Sequence, residues 1–518
     1  MEKAATDIYT FQELREKGYT YVDKTGLLLP LVDDSIGKQF FIARPRRFGK
    51  SLTVSTLHAL FDGRRELFRG LAVEPKWDWS KTWTVLHLDM GSCQSDTVEG
   101  LKGKMRTMLL KEAERLGVAL RDADPSNAFS LMIDDLAAKS PSKDGQIVLL
   151  VDEYDKPLLG HLSKPDVTQF RDFLKEFYSV IKTLESKQRF TFITGVSKFS
   201  KVSIFSDLNN LVDMTMDATT STLLGYTHDE LRTYFPEALA RIGAANGTDA
   251  EGAFKEVVQW YDGYRFHPAS EKVVNPVSFG MCARRGEFQN YWSTTAMTTF
   301  LTDALKKDPL DFSTIGVDQS ELEAYEPDNP RLVTLLYQTG YLTIKSFQQM
   351  GGVRTYDLCF PNLEVENSFL TSLAPIYAGL DQSKSGSYQR AGIRALMAGD
   401  VDGFVKQLKC FFANIPYDLT DRQNEQMWQT IVYVILKSIG VNVNAEVLTN
   451  EGRIDMTCET AGAVWLIEFK LDKSADEALA QIERNNYAEK FDLSGKKVLK
   501  LGVSFSSEKR TITDVKIA

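Results

Sequence analysis

Through the first 220 residues, short apolar runs alternate with segments whose apolar positions recur at helical spacing. Phe40-Phe41-Ile42-Ala43 is the first such run, followed by residues 83–88, 147–151, 190–196 and 211–216. Between the first two, Leu52, Val54, Leu57 and Leu60 return at helical spacing. Residues 97–139 read as two amphipathic helices parted at 122–127, and 168–183 as another. A helix over 27–32 precedes the first strand. Strands that stay apolar along their whole length and alternate with helices predict a parallel sheet covered on both faces.

The pattern then changes. Residues 226–305 read as helical, with turn-like breaks at 261–266 and 275–278. Over 310–365 a helix at 331–339 meets Gly340, an apolar stretch at 341–344, a Gly351-Gly352 turn and a second stretch at 356–360. Helix then hairpin suggests a winged helix. Its helix is apolar and poor in basic residues, so packing is expected of it rather than groove reading. Residues 366–420 read as a helical connector. From 421 the order is α-β-β-β-α-β, with a helix at 425–438, strands at 441–448, 453–458 and 464–469, a helix at 475–490 and a strand at 498–505. The expected domains are therefore 1–222, 223–308, 309–420 and 421–518.

Composition narrows the class. A chain of 518 residues is too long for one core. A net charge of −9 carries no global basic signature, so any nucleic-acid contact must come from a local patch. The five cysteines form no CxxC pair and the five histidines no ligand spacing, which argues against a zinc site or disulfide framework. The amino-terminal residues lack the apolar core of a signal peptide, and no run approaches the ~20 apolar residues of a membrane helix. A soluble cytoplasmic protein without a membrane partner is the expectation.

Two constellations carry chemistry. After the first strand the chain reads Arg44-Pro45-Arg46-Arg47-Phe48-Gly49-Lys50-Ser51-Leu52. Strand, tight loop, Gly-Lys-Ser and helix form a phosphate cradle: backbone N–H groups face the anion, Lys50 reaches the outer phosphates and Ser51 serves Mg²⁺. The pattern G-x-x-x-x-G-K-[ST] fails only at its first position, Arg44, where losing glycine removes tolerance of positive φ. The apolar run at 147–151 ends in Asp152-Glu153, which places acids at the carboxyl edge of the sheet. Asp152 there holds the hydrated Mg²⁺ and Glu153 polarises an attacking water. Thr194 and Ser197, after a later strand, are candidates to sense the terminal phosphate, or plain turn residues. Residues 21–25 either pack beside the base or simply begin a helix. Arg265 either approaches the phosphates from a lid or lies on the surface stacked on a tyrosine.

In the last domain Asp455 lies on one strand, and Glu468 and Lys470 share a face of the next because side chains alternate. Two carboxylates suit Mg²⁺ or Mn²⁺, with Glu425 from the preceding helix completing the set, and Lys470 orients a nucleophile. A cross-strand ion pair is the plain alternative. Gln481 and Tyr487 on the next helix are candidate contacts to backbone or substrate.

Together these motifs, with Tyr21-Val22-Asp23-Lys24-Thr25, Leu150-Val151-Asp152-Glu153-Tyr154-Asp155, Thr194-Gly195-Val196-Ser197-Lys198-Phe199-Ser200 and Gly452-Arg453-Ile454-Asp455, resemble a bacterial and archaeal family. That family joins an AAA-ATPase-like domain to a PD-(D/E)XK nuclease-like domain. The resemblance implies a P-loop NTPase α/β core of the additional-strand (ASCE) type, a helical lid, a winged-helix-like region and a restriction-endonuclease-like α/β domain. It implies Gly49, Lys50 and Ser51 as phosphate and Mg²⁺ contacts, with Asp152 on Mg²⁺ and Glu153 catalytic; Arg46, Arg47, Phe48, Leu52 and Thr194 are the further residues expected around ATP. It likewise implies Asp455, Glu468 and Lys470 as a nuclease-like triad. The expected function is an ATPase whose nucleotide state controls a metal-dependent nuclease acting on DNA or RNA. The alternative is an ATP-driven switch whose nuclease-like domain only binds nucleic acid or protein. An arginine supplied by a neighbour would make the protein a homo-oligomer.

Overall fold

The computed structural model describes residues 3–33, 35–141, 145–199, 210–292, 301, 304–305, 310, 312, 315–323, 325–378, 391–392, 394–412, 425–438, 442–449, 452–460, 462–509 and 511–518. Two compact units are present: residues 1–292 with 316–363, and 293–315 with 364–518.

In the first unit, β1 (Gln39–Ala43), β2 (Thr84–Asp89), β3 (Ile147–Asp152), β4 (Gln188–Gly195) and β5 (Val212–Asp213) form an all-parallel sheet in the order β2-β3-β4-β1-β5. Every residue of β1 and β3 is buried, which is why both read as unbroken apolar runs. β4 is inserted between β1 and β3, the additional-strand arrangement. Since all five strands run the same way, the loop after β1 and the acids after β3 leave the sheet at one edge, flanking the end of β4. Helices Val98–Leu116 and Pro125–Lys139 fall where the periodicity places them. Thr97 caps the first and Gly117, at φ +68°, ends it; Asp124 caps the second with Pro125 in its first turn. The helix before β1 spans Thr25–Val32, begun by Asp23, whose carboxylate accepts the Thr25 N–H.

β5 is two residues long rather than six. Asp213 Oδ1 accepts the Thr215 N–H at 2.9 Å, and this local turn draws the backbone off the ladder. Four helices, His228–Tyr234, Pro236–Ala245, Ala250–Tyr261 and Pro276–Arg285, share a core of Leu231, Phe235, Leu239, Ile242, Val257 and Phe279. The break at 261–266 is a bridge, with Tyr264 paired to Val273, and Asn275 caps the fourth helix. Further on, β6 (Ile315–Asp318), helix Leu332–Thr339, β7 (Thr343–Met350) and β8 (Val353–Cys359) give a sheet ordered β6-β8-β7. The helix buries Thr334, Leu335, Leu336, Tyr337 and Gln338, which agrees with a packing role.

In the second unit, helix Glu425–Ser438 precedes β9 (Asn442–Leu448), β10 (Arg453–Glu459) and β11 (Ala463–Leu471). Helix Ala475–Arg484, β12 (Lys497–Ser506) and β13 (Thr511–Ile517) complete the mixed sheet β13-β12-β11-β10-β9, in which only β11 and β12 run parallel. The helix at 475 stops six residues short of the expected length. Asn485 closes its last turn and Asn486 takes φ +44°, which breaks the helical path. Helix Ala475–Arg484 lies so close on β12 that a Cβ at Gly502 would sit 2.2 Å from the Ala475 carbonyl oxygen. Gly502→Ala therefore forces backbone apart, and we expect a loss of about 1–3 kcal/mol, read as a lower urea midpoint for the transition of this unit.

Candidate nucleotide and metal sites

The loop after β1 turns at two positions. Arg47 takes φ +67° and Gly49 φ +93°, the latter as the cap of helix Lys50–Phe61. Gly49 meets the demand for which glycine is suited, whereas a left-handed arginine is held by its surroundings: Arg47 Nη1 donates to the Tyr291 carbonyl at 2.9 Å. Arg44, the residue in place of the first glycine, does not adopt positive φ. The conformational cost expected there therefore does not arise. Lys50 is buried, and its ammonium donates to the Arg44 and Pro45 carbonyls at 2.9 Å each. Desolvation brings its pKa down to about 8, against the opposing pull of Asp152, Asp155 and Glu153. That pull brings Lys50 and the acid strand into one electrostatic neighbourhood. Arg46 is exposed, Phe48 buried, and Ser51 and Leu52 half-buried in the first helical turn.

Asp152 ends β3 buried at 5% exposure. Its Oδ1 accepts the Thr194 hydroxyl at 2.5 Å and the Glu153 N–H at 3.0 Å. Thr194 thus bridges β4 to the acid strand. Glu153 takes φ +53° and is partly exposed, 3.8 Å from Lys156 Nζ. Asp155, which the sequence reading left without a role, is buried, and its Oδ2 accepts the N–H groups of Val196 at 3.0 Å and Ser197 at 2.6 Å. Burial raises its pKa to about 6 even though the Ser197 N–H, Lys50 and the Val196 N–H favour the charged form. Tyr154 donates its hydroxyl to the Ser197 carbonyl at 3.0 Å. Thr194 therefore faces the acids, while Ser197 contributes its backbone. No local pattern signals Asp155, because its partners lie 41 and 42 residues away.

Beside the cradle, Tyr21, Phe48, Leu52, Leu224, Tyr226 and Val277 line a largely apolar, half-open cleft that reaches Gly49 and Thr53. Its apolar and aromatic lining is of the kind that takes a planar ring next to a phosphate cradle. Of residues 21–25, Asp23 starts the helix, as one of the two expectations had it, and Tyr21 lines the cleft. Lys24 donates to Glu230 at 2.6 Å and to the Thr222 carbonyl at 2.7 Å, closing one wall. Arg265 does neither of the two things considered for it. Its side chain donates to the Lys345 carbonyl at 3.3 Å, and its N–H to Thr343 Oγ1 at 2.8 Å.

In the second unit the antiparallel register of β10 and β11 sets Asp455 beside Glu468. Asp455 Oδ2 accepts the Phe469 N–H at 2.9 Å, and Lys470 Nζ stands 3.4 Å from Glu468 Oε1. Glu468 has no exposed surface; desolvation and the Asp455 charge raise its pKa to about 8. Two carboxylates pressed together with one lysine form an oxygen donor set that suits a hard divalent cation. Among the described residues no group of three or more His, Cys, Asp or Glu side chains gathers round one point. The side chain of Glu425 lies outside the described residues. Tyr487 donates to the Arg453 carbonyl at 2.7 Å, bracing the strand that carries Asp455, and Gln481 is half-buried.

A family model described as "Predicted AAA-ATPase" matches residues 6–205, and one described as "PD-(D/E)XK nuclease superfamily" matches residues 423–515. An Azotobacter chroococcum mcd 1 protein, "Uncharacterized protein in vnfD 5'region", is 37% identical over 525 residues, spanning 99% of this chain and 98% of its own length. The chain belongs to this AAA-ATPase-like family with a C-terminal PD-(D/E)XK domain. No solved structure matches it. No described helix of this family member is long and apolar enough to cross a membrane.

Removing the Asp155 carboxylate orphans two buried N–H groups. We expect Asp155→Ala to lower stability by about 2 kcal/mol or more in urea unfolding of the full chain, and Asp155→Asn, which keeps one acceptor, to lower it less.

Proposed function

We propose that the protein binds and hydrolyses ATP and that its nucleotide state controls a metal-dependent nuclease acting on DNA or RNA. The observation that carries the ATPase half is the convergence at one sheet edge: Lys50 on its loop, and Asp152 held by Thr194 across β4. Arg46, Arg47, Gly49 and Ser51 surround the phosphates, Ser51 and Asp152 hold Mg²⁺, and Phe48 and Leu52 border the base. When bound, Mg²⁺ offsets charge on the phosphoryl oxygens. Glu153 orients and polarises the attacking water; its partial exposure leaves it able to reach a water. Assembly into a homo-oligomer would bring an arginine from a neighbouring copy. The reaction belongs to the cytoplasm.

The nuclease half rests on Asp455, Glu468 and Lys470 brought together by the register of β10 and β11. The two carboxylates would hold Mg²⁺ or Mn²⁺, with Glu425 as the further ligand, and the cation would lower the pKa of a bound water. Lys470 orients that nucleophile and neutralises developing phosphate charge. A second reading, a nuclease fold kept as a binding module for nucleic acid or protein, is favoured by the chain's net charge of −9.

Incubating the full chain with plasmid DNA and with RNA, with and without ATP and Mn²⁺, separates these readings on a gel. Lys50→Ala should remove ATP binding. Glu153→Gln should lower ATP turnover by about 100-fold or more while keeping binding, and Asp455→Ala should remove cleavage while sparing ATP turnover. ATP turnover with no cleavage of either nucleic acid would leave the binding-module reading in place of the nuclease.

A further inference from the structure

Two features stand outside the function proposed above: Arg44, and the motif Tyr261-Asp262-Gly263-Tyr264-Arg265-Phe266. They meet at the phosphate loop. Arg44 is 1% exposed, and among the described residues its guanidinium donates to carbonyls and not to a carboxylate, with Asp213 adding favourable charge. Nη1 donates to the Ala43 carbonyl at 2.9 Å and to the Thr215 carbonyl at 2.6 Å; Nη2 reaches the Thr220 carbonyl at 3.4 Å. The guanidinium lies over the Phe266 ring, 4.1 Å from its centroid.

The far side of the loop rests on the same motif. Phe48 packs edge-on against Tyr264 and Phe266, with ring centroids 4.7 and 5.4 Å away. Pro45 is wedged where a Cβ on Gly340 would come within 2.7 Å of it, with Tyr264 on the same side. Gly340 itself sits at φ +91°, so glycine is demanded there twice over. Both ends of the cradle thus meet the motif: Arg44 lies on Phe266, and Phe48 packs on Tyr264 and Phe266. Burying a guanidinium is costly unless its donors are used. Here Nη1 and Nη2 fasten β1 to the segment after β5, Nε stays without a partner among the described residues, and the ring face and the charge of Asp213 favour the cation.

We propose that Arg44 is a positioning residue of the phosphate cradle, and that Tyr264 and Phe266 are its platform. In a loop without the usual first glycine, the shape that receives the phosphates is imposed from outside, by the guanidinium and the two rings. The carbonyls of Arg44 and Pro45 that hold Lys50 are then presented by a braced backbone, and a change at the 261–266 motif reaches the nucleotide through Arg44. The inference rests on the ATP reading of this loop.

The test converts the loop to the ordinary sequence. In the full chain, Arg44→Gly restores G-x-x-x-x-G-K-S, and a cradle that needed only glycine would bind a fluorescent ATP analogue at least as tightly as before. We expect instead that Arg44→Gly weakens binding about tenfold or more and raises KM for ATP far more than it lowers kcat, since Asp152 and Glu153 are untouched. Phe266→Leu should weaken binding several-fold in the same direction, Phe266→Trp should restore it, and the Arg44→Gly/Phe266→Leu double variant should bind no worse than Arg44→Gly alone. Unchanged or tighter binding by Arg44→Gly, or independent additive losses in the double variant, would overturn the proposal. If Arg44→Gly does not fold, Arg44→Lys and Phe266→Leu decide it, and wild-type affinity in both overturns it. Lys50→Ala reports separately on the ATP reading: binding that survives this change removes that reading, whatever Arg44 does.

Discussion

A buried ammonium needs oxygen around it, and much of the first unit can be understood from how Lys50 finds that oxygen. The loop folds back so that two of its own carbonyls face Lys50, while Asp152, Asp155 and Glu153 contribute field from the next strands. Arg44, a second buried cation, is held separately by three carbonyls and a ring, with its Nε left without a partner among the described residues. Two cations are thus enclosed at the carboxyl edge of a parallel sheet, in a place where water screens little and where Asp152, Asp155 and Glu153 offset part of the charge. Removing either cation's partners would destabilise the protein as well as the site.

β4 is the structural means by which the two halves of that site communicate. Inserted between β1 and β3, it gives the Gly195 carbonyl to the Arg44 N–H and the Thr194 hydroxyl to Asp152. The turn that follows gives two N–H groups to Asp155, after which Lys198 exchanges hydrogen bonds with Gln338 on the helix before the β7–β8 hairpin. Hydrogen bonds thus tie the end of β4 and the turn after it to Asp152, to Asp155 and to a helix far away in sequence. The second unit solves a related problem by simpler means. Antiparallel register alone sets Asp455 opposite Glu468, and alternation sets Lys470 on the same face.

What the sequence made legible, and what it hid, divides along one physical line. Fully buried parallel strands are apolar throughout, so β1, β3 and β4 were plain, and so were the motifs that hang from their ends. Elements short of a buried face were not. β6 is four residues long, and β13 is an edge strand with most of its side chains in solvent, so neither left an apolar run. β5 was overestimated because its apolar residues continue past the point where Asp213 turns the chain. Within the sites, the nearness of Lys50 to Asp152 and of Asp455, Glu468 and Lys470 to one another was readable from motif spacing and strand alternation. Arg44 and Asp155 were not, since the Thr215 carbonyl lies 171 residues from Arg44 and the Val196 N–H lies 41 from Asp155. Arg265 drew attention through its charge, yet its partner is a strand carbonyl 80 residues on.

The central claim is that one nucleotide engages the β1 loop, the end of β3 and the end of β4 together. Amide hydrogen exchange of the full chain with and without Mg²⁺-ATP tests it most directly. Slower exchange on ATP binding is predicted jointly in residues 45–53, 152–156 and 194–198. Protection confined to one of these segments, or absent from all three while ATP is bound, would contradict the account.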